Sequence, residues 1–490
     1  MNDYIVSTKS GKIRGYERNG ILEYLGIPFA QPPKGELRFK RARAVTPREG
    51  ILDAKEYGPV PVQLNDGVIQ GAEDCLTINI QRPLEGEKLP VFVWIYGGGY
   101  NIGRASDDLY NGAVFAREGI LFVSFQYRLN VLGFYDFTTY PGCEDFESNC
   151  GLSDQILALQ WIHENIAAFG GDPDRITIAG ESAGGASVVN LMAAPKAKGL
   201  FSQAIAQSAL PNCVMSHQVA RRNIDIFLEK MGWTQEDLPK LKTIDPYELQ
   251  KAHAAMNDVQ QYRNPGLFQP CPVQDDLLPV RPIDAIRQGS AKGVKLIIGT
   301  NLNEGTMFVH PEKTGFPNSW SMVAEMFEKN GHAEALPEII RYYLDHSEDP
   351  FVDFATDYAF QMPALKVAQA QKEYGRVWMY RYEFISASGQ KTGMKASHAF
   401  DLPCMFANKD FEFSRFLFDG EPEEVKDKII RDMHTPWVDF IKTGEPDPAA
   451  WPLYTGYDSM VRIFDRNTRT EKLDRTGLME VWKDLRFYEE

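Results

Sequence analysis

Short, continuous apolar runs recur along the chain, separated by stretches of helical period. Val91–Tyr96 (VFVWIY), Leu121–Tyr127 (LFVSFQY), Ile176–Ala179 (ITIA), Ala204–Gln207, Leu296–Gly299 and Val377–Tyr382 are apolar with little polar–apolar alternation. Such runs predict strands covered on both faces. Between them, Leu152–Phe169 places apolar residues three and four apart and stops at Gly170-Gly171, the signal of a helix end. Strand, helix, strand in succession predicts a mostly parallel sheet with right-handed crossovers. In sheets of that kind reactive groups gather at the carboxyl ends of the strands.

A length of 490 residues would allow about three domains at roughly 150 residues each. No Gly/Ser-rich or Pro-rich linker, long charge run or internal repeat divides the chain, so residues 1–490 read as one α/β domain with helical insertions. A hydrophobic fraction of 43%, a charged fraction of 24% and a mean hydropathy of −0.33 describe a globular chain and exclude a disordered or fibrous one. The net charge of −15 repels phosphate polymers and anionic membranes, so neither nucleic acid nor a lipid surface is an expected partner. Met1–Gly20 alternates polar and apolar residues without the pattern of a signal peptide, and nothing approaches the about 18 apolar residues of a membrane span. The expectation is a cytoplasmic protein, with an oligomeric state the sequence leaves open and a monomer compatible with it. The six cysteines form no CxxC pair and the eight histidines no HExxH. Reduced, structural thiols are expected, with Cys143 and Cys150 near enough in sequence to pair.

Three constellations carry chemistry. The run Ile176–Ala179 leads into Gly180-Glu181-Ser182-Ala183-Gly184, a G-x-S-x-G sequence followed by helix-compatible residues to Met192. A strand that turns sharply into a helix brings its neighbours into contact, and side chains at the two glycines would clash. The turn lifts the serine hydroxyl above the sheet edge, at a helix N-terminus that favours developing negative charge. Val91–Tyr96 ends in Gly97-Gly98-Gly99. There a bare backbone can aim N–H groups at an oxyanion, together with the amide of Ala183.

An acid and a base should follow the serine in that order. Glu304 lies just past Leu296–Gly299, and His398 lies in a loop after Val377–Tyr382. The pattern leaves Asp275 and Asp276 as rival acids. Of the other histidines after the serine, His253, His332, His346 and His434 sit in charged, helix-like contexts and read as solvent-facing or capping. His217 follows Ser182 too closely, and His310 stands six residues after Glu304. On pattern alone neither Glu304 nor His398 is singled out.

The ordered set of motifs resembles the type-B carboxylesterase family, which includes bacterial para-nitrobenzyl-type esterases, animal carboxylesterases and cholinesterases. Gly26–Ala30 with Pro32-Pro33 and Arg38-Phe39 is similar to its N-terminal signature, and Glu73-Asp74-Cys75-Leu76 to its second. The resemblance continues through Tyr96–Tyr100, Gln126-Tyr127-Arg128, Asn149–Gln155, Phe169–Pro173 and Gly180–Gly185. It ends with Asn303-Glu304-Gly305, His398 and Trp437–Gly444. It implies an α/β-hydrolase fold and a serine carboxylic-ester hydrolase that acts on neutral small-molecule esters through an acyl-enzyme, without a metal or organic cofactor. The implied catalytic residues are Ser182, Glu304 and His398, with Gly98, Gly99 and Ala183 as oxyanion donors. Glu181, Ser208, Tyr100, Met307 and Phe308 fall at substrate-pocket or supporting positions, and Arg38–Glu73 and Arg128–Asp154 become structural ion pairs. A non-catalytic adhesion protein on the same fold, as in the neuroligins, would lack an intact triad. This chain departs from the family in having no cysteine near Pro61, which leaves Cys75 unpaired. It also lacks a tryptophan between Pro61 and Cys75, the position from which cholinesterases hold a quaternary ammonium group by cation–π attraction.

Overall fold

The computed structural model describes residues 4–263, 268–309 and 316–487, the side chains of 257–263 excepted. An 11-stranded sheet runs through its centre. In chain order the strands are β1 (Tyr16–Arg18), β2 (Ile21–Pro28), β3 (Thr77–Pro83), β4 (Leu89–Ile95), β5 (Leu121–Phe125) and β6 (Gly171–Glu181). Then follow β7 (Gln203–Gln207), β8 (Lys295–Asn301), β9 (Val377–Tyr382), β10 (Met460–Phe464) and β11 (Arg469–Lys472). Side by side they lie in the order β11-β10-β9-β8-β7-β6-β4-β5-β3-β2-β1. Neighbours from β5 to β10 are parallel, and β1, β2, β3 and β11 add antiparallel edges.

The six apolar runs of the sequence fall on β4 to β9, and their residues are almost all inaccessible to solvent. Helices cover the sheet, so a strand there has no wet face, and continuous hydrophobicity is what such burial selects. The predicted helix forms as α1 (Cys150–Asn165) and a 3-10 turn Ile166–Phe169, closed by Gly170 at φ 80°. Three further helices matter below: α2 (Ala183–Ala193), α3 (Pro246–Arg263) and α4 (Glu423–Thr443).

Both ion pairs implied by the resemblance are present, Arg128–Asp154 buried and Arg38–Glu73 partly so. Arg38 donates to Glu73 from Nε and Nη2 at 2.5 and 2.6 Å, and Arg128 to Asp154 from Nε and Nη2 at 2.9 and 2.7 Å. The six cysteines are buried free thiols. Among the described residues no helix is long and apolar enough to cross a membrane.

Candidate active site

Four adjacent strands deliver five polar residues to one end of the sheet. Glu181 ends β6, with Ser182 next in the chain. Ser208 follows β7, Glu304 follows β8, and His398 stands in the segment after β9. Strand order thus brings together residues spread over more than two hundred positions of sequence.

Ser182 sits at φ 59°, ψ −125°, a backbone conformation that costs a side chain of order 1–3 kcal/mol. The surrounding glycines allow it. A Cβ at Gly180 would lie 2.4 Å from the carbonyl carbon of Gly184, and one at Gly184 would lie 2.0 Å from the carbonyl oxygen of Ile95. The turn expected of G-x-S-x-G is therefore built, and α2 starts at Ala183 with its N–H groups free of the strand ladder.

Gly97–Gly99 follows the neighbouring strand β4. The carbonyl of Gly98 accepts from the N–H groups of Asn101 and Ile102 at 3.0 and 3.1 Å, and a Cβ on Gly103 would stand 2.6 Å from the Gly97 carbonyl. Both carbonyls are turned into the loop. In a trans peptide the N–H points opposite to the C=O, so the Gly98 and Gly99 N–H groups face away from it. Gly98 has φ 107° and Gly99 φ 61°. Tyr100, which the resemblance puts at a substrate-pocket or supporting position, is buried behind this loop. Its hydroxyl accepts from Ser187 Oγ and Asn190 Nδ2 of α2 at 3.3 and 3.4 Å.

Glu304 is fully buried and opens a 3-10 turn, Glu304–Met307. Its Oε1 accepts from Ser208 Oγ and the Asn301 N–H, both at 2.6 Å, and its Oε2 accepts from His398 Nδ1 at 2.5 Å. With Nδ1 committed as donor, the neutral imidazole keeps a lone pair on Nε2. Nε2 lies 3.1 Å from Glu181 Oε1, yet neither atom is aligned for a hydrogen bond and both are left without a partner. Burial opposes a charge on His398, but the carboxylates of Glu181 and Glu304 outweigh it and raise its pKa above the usual value. Burial raises Glu181 as well, with the imidazolium pulling the other way.

A third carboxyl stands close by. Asp401 is fully buried and accepts from Gln207 Nε2 at 2.8 Å, Tyr380 OH at 3.0 Å and Asn301 Nδ2 at 3.4 Å. Burial raises its pKa. The rival acids of the sequence are engaged elsewhere: Asp275 and Asp276 pair with Arg41 at 2.8 and 2.6 Å.

Phenylalanines wall the site. Phe308 and Phe360 have ring centroids 5.1 and 4.8 Å from the His398 ring, and Phe268 and Phe316 pack against Phe308 at 5.2 and 5.6 Å. Phe308 was expected here from the family pattern. Phe360 was not, and no local signal marks it, because it reaches the site from the turn Asp357–Gln361, far along the chain. Met307 ends the Glu304 turn, half-buried.

Two histidines correct the sequence reading. His253 is not solvent-facing but 1% exposed, its ring nitrogens engaged by Tyr135 and Asn101. His434 is largely covered: Nδ1 donates to the Met405 carbonyl at 2.6 Å and the ring packs on Phe115. Polar neighbours in a helix do not show which way a side chain faces when distant segments cover it. His310 lies outside the described residues. Among them, no cluster of His, Cys, Asp and Glu is arranged to hold a metal ion.

The profile of the carboxylesterase family matches residues 2–482. A para-nitrobenzyl esterase of Bacillus subtilis (strain 168) is 35% identical over 465 residues, covering 93% of this chain and 93% of that protein. A cholinesterase of Mus musculus is 31% identical over 521 residues, covering 96% of this chain and 84% of that protein. A solved PNB esterase structure superposes with a TM-score of 0.86 at 32% identity, over 98% of this chain and all of that one.

Proposed function

Because the chain belongs to the carboxylesterase family, it is a serine carboxylic-ester hydrolase with an α/β-hydrolase fold, and we propose that Ser182, His398 and Glu304 carry its chemistry. Ser182 Oγ attacks the ester carbonyl carbon while His398 Nε2 takes its proton. Glu304 holds the imidazole with Nδ1–H outward and stabilises the imidazolium. The tetrahedral oxyanion rests on the N–H groups of Gly98, Gly99 and Ala183. The imidazolium returns its proton to the leaving alcohol, and water then attacks the acyl-enzyme with the same base. The observation that carries this reading is the 2.5 Å contact from His398 Nδ1 to Glu304 Oε2, which leaves Nε2 unbonded beside the Glu181-Ser182 turn. A fluorophosphonate should label Ser182 alone and stop ester hydrolysis. Peptide mapping that found the label on another serine would remove the assignment.

The pH dependence follows from the carboxylates. His398 must be neutral to accept a proton, and Glu181 and Glu304 raise its pKa, so kcat/KM should fall on the acid side of an apparent pKa higher than that of ordinary histidine. Glu181→Gln removes one raising charge, and the acid limb should move to lower pH. A pH profile of kcat/KM that leaves the limb in place would contradict this role for Glu181.

The substrates we infer are neutral small-molecule esters. The segment Pro61–Cys75 forms a short hairpin, Gln63–Asn65 with Val68–Gln70, and Gln63 exchanges hydrogen bonds with Gly103 beside the oxyanion loop. It carries no tryptophan. A cation–π site contributes roughly 0.5–2 kcal/mol, and about 1.4 kcal/mol is a factor of ten. Acetylcholine and its uncharged isostere 3,3-dimethylbutyl acetate should therefore give similar kcat/KM at high ionic strength, where steering by the net charge is screened. A hundredfold preference for the cation would defeat this reading. We also read residues 1–490 as a single catalytic domain with helical insertions. A cytoplasmic location fits six cysteines that are all buried thiols.

A further inference from the structure

His253 sits on α3, outside the residues assigned to catalysis, yet it is 1% exposed and both its ring nitrogens are engaged. Nε2 stands 2.5 Å from Asn101 Oδ1 and Nδ1 stands 2.9 Å from the Tyr135 hydroxyl. The tautomer can be derived. Asn101 Nδ2 donates to the carbonyls of Gly99 and Gln269, both at 3.0 Å, so Asn101 Oδ1 has to be an acceptor. His253 therefore donates from Nε2 and accepts from Tyr135 at Nδ1. Burial lowers its pKa to about 4, so the ring is neutral wherever the enzyme would be assayed.

The chain of bonds ends on the oxyanion loop. The Gly98 carbonyl is already fixed by the Asn101 and Ile102 amides, which orients the peptide carrying the Gly99 N–H. The Asn101 side chain fixes the next carbonyl, that of Gly99. Gly99 is thus held at both of its peptides, which matters because glycine at φ 61° has no side chain of its own to restrict it. The two carbonyl acceptors at Nδ2 fix which way the Asn101 amide faces. The donor at Oδ1, which His253 supplies from a separate helix, adds the bond on the opposite side that keeps the side chain from swinging off those carbonyls.

We propose that His253 is a positioning residue for ester hydrolysis, setting the oxyanion loop through Asn101. The proposal rests on the assignment of Gly98 and Gly99 as oxyanion donors. His253 touches no substrate. Its effect should appear where charge develops on the carbonyl oxygen and not in ground-state binding.

The test uses the full chain and counts active sites by fluorophosphonate titration, so that misfolded protein is excluded from kcat. Deleting an oxyanion donor outright costs about 10²–10³ in kcat. Loosening the loop that carries the donors should cost less, about tenfold. In His253→Phe, which fills the volume but donates nothing, kcat per titrated site should fall about tenfold while KM for p-nitrophenyl acetate stays within about twofold. Inhibition by a trifluoromethyl ketone, whose adduct places an oxyanion in the hole, should weaken in the same proportion. His253→Gln, whose amide N–H can still donate to Asn101, should recover most of both. Wild-type kcat and inhibitor affinity in His253→Phe would overturn the proposal, as would a loss confined to KM or an equal loss in His253→Gln. If the wild-type enzyme is not labelled at Ser182, the assignment beneath the proposal has failed instead.

Discussion

Ser182→Ala should abolish ester hydrolysis, with kcat down by a factor on the order of 10⁶, and His398→Ala should come within about tenfold of it. At about 1.36 kcal/mol per decade this removes roughly 8 kcal/mol of transition-state stabilisation. The two residues act in one step: the hydroxyl attacks well only as it loses its proton, and the imidazole accelerates nothing without a nucleophile to deprotonate. The double variant should therefore be no slower than either single one, whereas independent contributions would multiply. Loss of folding is excluded by a further substitution. Ser182 holds φ 59°, so Ser182→Gly relieves strain and should be as inactive as Ser182→Ala yet more stable by roughly 1 kcal/mol in denaturant unfolding. A residual rate above one per cent in Ser182→Ala, or a double variant far slower than both singles, would be incompatible with a triad.

What the sequence made legible follows from where its signals are local. The strands β4 to β9 are covered on both faces, so their burial is written into consecutive residues. The tight turn at Ser182 is written into Gly180 and Gly184, whose Cβ positions are occupied by backbone. The edges were not legible. β11, Arg469–Lys472, is polar and only partly buried, and β1 has three residues, so neither has a hydrophobic signature. The pattern marked Glu304 and His398 only as members of a list of acids and histidines. Their pairing became visible through family resemblance and then through strand order, because 94 residues separate them. His253 shows the opposite failure. Charged residues on its helix, Glu248 and Lys251, suggest a surface, while the groups that bury it come from Asn101 and Tyr135, 152 and 118 positions away. No local pattern reports a contact at that separation.

Glu304→Gln should lower kcat by about 10⁴, while Asp401→Asn should cost less than about tenfold, although both are fully buried carboxylates near the same imidazole. The difference lies in which oxygen faces what. Glu304 Oε1 accepts from two donors, Ser208 Oγ and the Asn301 N–H. A glutamine there must keep its carbonyl oxygen at that point and present its NH₂ group to His398 Nδ1. The ring then accepts at Nδ1, carries its proton on Nε2, and has no lone pair for the Ser182 proton. A triad acid changed to its amide costs about 10⁴ for this reason. Asp401 has no such contact with His398. Its Oδ2 accepts from Gln207 and Tyr380, and Oδ1 has only the 3.4 Å approach of Asn301 Nδ2. Asparagine can keep its carbonyl at the Oδ2 position; its NH₂ then faces the Asn301 Nδ2 donor and that 3.4 Å bond is lost, a cost to folding stability that leaves the tautomer of His398 untouched. What changes is charge. Asp401 is one of the carboxylates that raise His398, although the last-ranked of them, so Asp401→Asn should shift the acid limb of kcat/KM slightly to lower pH with the plateau nearly kept. Steady-state rates across pH on both variants, with folding checked by thermal melts, decide the matter. A folded Asp401→Asn slower than Glu304→Gln would mean that the orienting acid has been misassigned.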